Sequence, residues 1–302
     1  MSTPAAAEVD RLPALRLLGE AKVAELIGDG GGRYEASGVL AYGGWYWVVF
    51  DNLPDVARID PGLRPGDPRS TLIPQPDGAV GYEDIAHDPT DGRFFLLVEA
   101  ARRGSGLMAQ VHELDGDLRS LTTRWLDVPL ERANKGLEGL SCVRRAGRPY
   151  LLGLCEGNGG HGGKRGRRPG SGRLHVFSEG RAAEWERVAT IHLPTSLRFT
   201  DYSGISVAGD RVAVVSQESS ALWVGRLAPS SWELLDAGTT YVFPRDERGR
   251  IRYGTVEGVS WLGEDEVVVV SDRAKPTQPG RVRATDQSVH RFAVPAPAAS
   301  DW

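Results

Sequence analysis

The chain has 302 residues, 40% of them apolar, with 38 glycines, 19 prolines and a formal net charge of −4. That length can bury one large core or two ordinary ones, and the mildly negative balance argues against a nucleic-acid partner. No apolar run approaches the roughly 18 residues of a membrane span, and the start MSTPAAAEVDRLPALRLLGE has neither the basic opening nor the continuous apolar stretch of a secretory signal. No membrane partner and a cytoplasmic location are therefore expected.

Residues 1–12 read as a flexible tail ahead of one folded domain over 13–302. The segment 13–27 suits either a short helix or an outer strand from Leu17 to Leu26, and Gly28–Gly32 then breaks the chain. Beyond it the pattern is strands. Ser37-Gly38-Val39 leads a strand to Tyr42, Gly43-Gly44 turns it, and Trp45–Phe50 returns to Asp51. The same arrangement recurs at Glu83-Asp84-Ile85 returning to Glu99, at Glu138-Gly139-Leu140 returning to Glu156, at Ser203-Gly204-Ile205 running toward Glu218, and at Glu257-Gly258-Val259 returning to Asp272. The intervening turns carry Gly, Asp and Asn-type residues that tight hairpins need.

Further strand-like pieces follow each hairpin: Val56–Asp60 and Ser70–Ile73, Met108–Leu114 and Ser120–Leu126, Arg173–Phe177 and Trp185–Leu193, Leu222–Leu227 and Trp232–Leu235, and finally Ser288–Val294 alone. The starts at Gly38, Asp84, Gly139, Gly204 and Gly258 are about 46 to 65 residues apart. Four strands at that period are the mark of a β-propeller blade. The expectation is an all-β propeller of five four-stranded blades, with six as the alternative. Residues 17–26 would supply the missing outer strand of the last blade and remove an open edge. That consideration tips the segment toward strand.

In such a fold the start of each first strand and the end of each second strand share one mouth of the central channel. Every blade then sends at least one acid there. For Glu83, Glu138 and Glu257 two readings stand: bonding backbone N–H groups of the neighbouring blade, or facing the channel. Asp51, Glu99, Glu156, Glu218 and Asp272 are the candidate metal ligands. Crowded carboxylates need either raised pKa values or a cation. An oxygen-only donor set favours Ca²⁺, with Mg²⁺ as second choice. The six histidines form no HxH or HExxH pattern.

Basic loops are expected over the same mouth. Gly157–Arg173 holds Lys164, Arg165, Arg167 and Arg168 among glycines, with Asn158 at its start; a second holds Arg273, Lys275, Arg281 and Arg283; Arg102 and Arg103 form a third group. Cations on Gly-rich backbone suit an anionic small molecule. No GxSxG surrounds Ser141, Ser203 or Ser271, so hydrolysis would use metal-activated water with Glu156, Glu218 or Asp272 as the acid–base group. Cys142 and Cys155, expected on opposite faces of their hairpin, are read as unpaired thiols of a reducing compartment.

The phrases KGLEGLSCV, TDYSGISVAGDRVAVVSQES and GTVEGVSWLGEDEVVVVSD resemble the SdiA-regulated family and the phytase-like group named for an "esterase-like activity of phytase". The likeness runs from about Glu35 to Phe292. The LCEGN segment followed by a basic Gly-rich loop is its most distinctive part. The resemblance implies a Ca²⁺-associated propeller linked to phosphoester or ester hydrolysis. The alternative is a non-catalytic ligand- or protein-binding propeller with a structural calcium ion.

Overall fold

The computed structural model describes residues 12–28, 32–75, 81–131, 135–180 and 184–296. Of the expected tail, residues 1–11 lie outside this set. The ambiguous segment contains both elements: strand β1 (Arg16–Lys22) and then a short helix α1 (Val23–Ile27), which buries Val23 and Leu26.

The rest is strand. The first blade is β2 (Ala36–Tyr42), β3 (Trp45–Phe50), β4 (Val56–Ile59) and β5 (Thr71–Ile73). The second is β6 (Tyr82–Asp88), β7 (Arg93–Arg103), β8 (Gly106–Leu114) and β9 (Ser120–Pro129). The third is β10 (Leu137–Arg145), β11 (Arg148–Cys155), β12 (Arg173–Glu179) and β13 (Glu184–His192). The fourth is β14 (Gly204–Ala208), β15 (Arg211–Ser216), β16 (Ala221–Arg226) and β17 (Thr239–Val242). The fifth is β18 (Val256–Trp261), β19 (Glu266–Ser271) and β20 (Ser288–Ala293), completed by β1, which pairs antiparallel with β20. The five-bladed propeller closed by its N-terminal strand is thus the observed fold.

One strand is displaced from its expected place. The outer strand of the fourth blade is Thr239–Val242, not Trp232–Leu235. Trp232 instead packs edge-on to Tyr150 of the third blade, with the Arg145 guanidinium 3.4 Å over its ring. The residues after Trp232 keep an isolated bridge to their own blade, Leu227 with Leu234, and Leu235 N–H bonds the Arg226 carbonyl at 2.7 Å. Trp223 Nε1 then bonds the Ala237 carbonyl at 3.0 Å before β17 begins.

The apolar residues form five separate clusters, one at each seam between blades. Alternation along a strand explains this. In β19, Val267 and Val269 face the fourth blade, while Val268 and Val270 face the first. A run of four valines is what a strand buried on both faces requires. The second and third blades are also joined at their outer edges, where β13 and β9 pair in parallel and merge them into one eight-stranded sheet.

The inner strands touch in a closed circle, β2 to β6 to β10 to β14 to β18 and back to β2. Four of the five repeat markers are glycines because backbones meet there. A Cβ on Gly38 would lie 2.5 Å from Asp84 Cα, and one on Gly258 would lie 2.8 Å from Gly38 Cα. Asp84 takes the remaining marker position and turns its buried carboxylate on the third blade, accepting from Leu140 N–H at 2.8 Å and from Ile85 N–H at 2.8 Å. Further along the channel, Ser141, Ser206 and Ser260 accept from Val207, Trp261 and Ala41 N–H groups at 3.1, 3.2 and 3.0 Å. Both devices stitch one blade to the next.

Candidate functional site at the acidic mouth

Bulges place the acids. In the first three blades the pairing slips by one residue at the start of the inner strand, leaving Ser37, Glu83 and Glu138 as the extra residues, and β18 slips likewise around Glu257. An extra residue bends the strand and re-aims its side chain. Ser37 and Ser203 use their hydroxyls on the neighbouring blades, bonding the Tyr82 and Val256 carbonyls. Glu83, Glu138 and Glu257 instead face one another electrostatically across the channel. The blade-to-blade bonding that the sequence offered these three glutamates falls to Asp84.

A second set stands at the ends of the second strands. Matching registers give Asp51, Glu99, Glu156, Gln217 and Asp272 as equivalent positions. Gln217, rather than Glu218, belongs to this circle, and its amide donates to Glu257 Oε1 at 2.7 Å. Glu218 is the next residue. It is exposed on the rim, paired with Arg167 and accepting from Thr200 Oγ1 at 3.1 Å.

The acids are held against their preferred charge state. Burial first, then neighbouring carboxylates, pushes Glu83, Glu138 and Glu257 well above the usual range. Burial also raises Asp51 and Glu99, and takes Asp272 up to about 6. Glu99 and Glu138 bring carboxylate oxygens within 4.8 Å of each other, a spacing that favours either a shared proton or a cation.

Glu99, Glu138 and Glu156 each bring a carboxylate oxygen within 4.8 Å of the other two, so this triad can hold a metal ion. The segment Lys135-Gly136 straps it: Gly136 N–H donates to Glu99 Oε1 at 2.8 Å, the Gly136 carbonyl accepts from Glu156 N–H at 3.2 Å, and the Lys135 ammonium pairs with Glu156 Oε1. Glu156 Oε2 is buried and has no hydrogen-bond partner among the described residues. Calcium–oxygen bonds of about 2.3–2.6 Å allow ligand oxygens of one shell to stand up to roughly 5 Å apart, so the spacing and the all-oxygen donor set fit that ion. They do not fit zinc, which prefers His and Cys.

Two cavities open at the mouth, the first of them lined in part by Glu156 of the triad. One, of about 380 Å³, is lined by Lys135, Glu156, His161, Lys164, Arg167 and Asp201 among others. The other, of about 660 Å³, is lined by Arg167, Thr255, Glu257, Asp272, Arg273 and Lys275 among others. The expected cations therefore divide. Lys164, Arg167, Arg273 and Lys275 line the cavities, whereas Arg165 and Arg168 are exposed and line neither. Arg103 lies elsewhere, stacked over Trp125 and paired with Glu184. Arg283 bonds the Pro276 and Gln278 carbonyls of its own loop, and Arg281 bonds the Ile251 carbonyl.

Asn158 has a structural position in place of the expected ligand contact. It is 2% exposed, donates to the Gly166 and Phe199 carbonyls, and accepts from Ser171 N–H and Tyr202 O–H. Both its donors and its oxygen are committed to folding the basic loop. Gly157 and Gly166 close on the His161 carbonyl so tightly that a Cβ on either would overlap it. The loop is thus packed around its own backbone, and Lys164 and Arg167 are presented from a short helical turn, Gly163–Gly166, and its end.

Sequence reasoning missed a constellation in the closing blade. Ser271 Oγ lies 3.0 Å from His290 Nε2, and His290 Nδ1 lies 3.0 Å from Glu20 Oε2, which also accepts from Tyr253 O–H at 3.1 Å. The order is that of a nucleophile, base and orienting acid. Ser271 and His290 are nevertheless fully buried and line neither mouth cavity. Burial lowers the His290 pKa and favours a neutral ring. The trio joins β19, β20 and β1 and acts as a closure staple. Its partners are distant in sequence, so no local motif marks it. Cys142 and Cys155 are free thiols, both pushed up to about 12 by burial, and so are inert.

No family model matches the sequence, and no curated protein matches it. Among solved structures, the chain is similar to glutaminyl cyclase of Myxococcus xanthus, at 9% identity over 94% of this chain and 98% of that one, with a TM-score of 0.51. It is also similar to a β-xylosidase/α-arabinofuranosidase from a compost microbial metagenome, at 10% identity over 93% and 94% of the two chains, with a TM-score of 0.50. At these identities the likeness shows the fold.

Proposed function

We propose that this chain is a calcium-dependent propeller that binds an anionic ester at its acidic mouth and hydrolyses it, the substrate being a phosphate ester or a lactone. The observation that carries the reading is the convergence of Glu99, Glu138 and Glu156 beside a cavity lined by Glu156, Lys164 and Arg167, with a second cavity of the mouth sharing Arg167 and lined by Arg273 and Lys275. Glu99, Glu138 and Glu156 hold the ion, with Glu83 and Glu257 completing the negative field. A divalent cation, when bound, polarises a substrate oxygen and stabilises developing negative charge. The cationic side chains bind and orient the anionic group. Asp272, raised to about 6 by burial, exchanges a proton with the reacting oxygen near neutral pH. The resemblance to SdiA-regulated and phytase-like propellers supports an ester as substrate, and the two free thiols support a cytoplasmic setting.

The test is a thermal-shift series in EDTA, Ca²⁺ and Mg²⁺, followed by a phosphoester and lactone panel in the stabilising ion. Calcium should stabilise wild type and leave Glu138→Gln unmoved; absence of any metal response refutes the reading. A binding-only propeller is the second reading, favoured by the strap of Lys135 and Gly136 that already anchors the triad. It predicts calcium stabilisation with no turnover of any panel member.

A further inference from the structure

The cavity between the fourth and fifth blades contains two oxygens that nothing in the fold accounts for. Thr255 is 2% exposed and, among the described residues, its hydroxyl has no hydrogen-bond partner; Asp272 Oδ1, also buried, has none there either. Both residues line the same cavity, and their backbones are joined, Asp272 N–H to the Thr255 carbonyl at 2.8 Å. A buried polar atom left unpaired is costly and calls for an external partner.

The partner's chemistry follows from what the two oxygens lack. Asp272 Oδ1 needs a donor. The Thr255 hydroxyl has both a proton to give and lone pairs to fill. An ammonium can only donate, so it leaves the Thr255 proton orphaned. A hydroxyl satisfies both at once, accepting from Thr255 and donating to Asp272. At the lip of the same cavity stand Arg273 and Lys275, both exposed, and among the described residues neither forms an ion pair with an acid. Unpaired cations beside a polar floor call for an oxyanion.

We infer that this cavity is a subsite for a hydroxylated anion, with a hydroxyl seated on Thr255 and Asp272 and a phosphate or carboxylate held by Arg273 and Lys275. The inference rests on the reading of the mouth as an anionic-ester site and narrows its substrate class.

Matched probes test it by isothermal titration calorimetry on the full chain, in calcium and again in EDTA. Glycerol 3-phosphate is compared with propyl phosphate, and glycerate with propionate, so that charge is constant and only hydroxyls differ. The hydroxylated member of the phosphate pair or of the carboxylate pair should bind about tenfold tighter, the weight of one buried hydrogen bond. The series that shows this identifies the oxyanion. Thr255→Val should erase the preference and Thr255→Ser should keep it. The double variant Arg273→Met/Lys275→Met should weaken both members of the pair about tenfold or more while preserving their ratio.

Equal binding within both pairs, or a preference unchanged in Thr255→Val, overturns the assignment and leaves an ordered water as the occupant. Tighter binding of 3-aminopropyl phosphate than of glycerol 3-phosphate overturns the hydroxyl assignment. Failure of any probe to bind wild type overturns the subsite altogether. The calcium reading fails separately, through absence of calcium heat in wild type, and a hydroxyl preference that persists in EDTA stands without it.

Discussion

Asp272→Asn tests the electrostatics of the mouth most directly. Asp272 is moved from its usual 3.8 to about 6, first by burial and then, against the Arg273 N–H that lowers it, by Glu35, Asp51 and Asp286. A shift of that size is worth about 3 kcal/mol at 1.36 kcal/mol per unit. The folded state holds this proton more tightly than the unfolded chain does. The associated stability is therefore full below about pH 3.8 and is lost as pH rises through 6. Asparagine keeps the shape and cannot ionise. In EDTA, wild type should lose stability from pH 4 to pH 7 while Asp272→Asn loses about 3 kcal/mol less, which for a chain of this size is about 5 °C in Tm. Differential scanning fluorimetry across that range reads it. Parallel curves for the two proteins would refute the claim that the mouth holds its acids against their charge.

The same logic predicts that the calcium-induced rise in Tm of wild type grows with pH, because a cation gains most when the acids have lost their protons; a rise independent of pH counts against it. Lys135→Met removes the ammonium paired with Glu156 and should tighten calcium binding about tenfold, as expected when a charged partner of about 1.5 kcal/mol no longer competes; calorimetry gives the constant, and unchanged affinity refutes the competition. Asn158→Ala strips the four side-chain bonds to Gly166, Ser171, Phe199 and Tyr202 that anchor the basic loop and should cost about 3–5 kcal/mol in urea denaturation. Asp84→Ala leaves the Leu140 N–H without its acceptor and should cost about 2–4 kcal/mol; a loss below about 1 kcal/mol would mean that the inner circle is held by apolar packing alone.

The propeller was legible because its repeat is written in glycines. Gly38, Gly139, Gly204 and Gly258 mark where inner strands touch, and no other residue fits those contacts. The mouth acids were legible for the same reason, since hairpin geometry brings a first-strand start beside a second-strand end. Bulges were not, because an extra residue in the ladder leaves no compositional trace. That is why Glu138 joins the triad, whereas the fourth blade has no such slip and its register alone puts Gln217, not Glu218, in the circle. The role of Asn158 was equally hidden, since its partners Phe199 and Tyr202 come from a loop about 40 residues away. In the fourth blade the segment Trp232–Leu235 pairs only as an isolated bridge while Trp232 caps the third blade, and the longer ladder forms at Thr239–Val242, a choice that local pattern does not record.

The parallel pairing of β13 with β9 merges the second and third blades into one sheet at their rim. The fourth and fifth blades have a smaller link of the same kind, the parallel bridge of Ala14 with Val242, and stay in separate sheets. The inner strands of the merged pair are fixed at the other end by the Asp84 bond to Leu140. The second and third blades are thus clamped at both radii and move as one plate. Glu99 stands on one half of that plate, Glu138 and Glu156 on the other. The spacing of the three carboxylates is therefore set before any ion arrives, whereas the cavity between the fourth and fifth blades lies between separate sheets that the Ala14–Val242 bridge links at the rim.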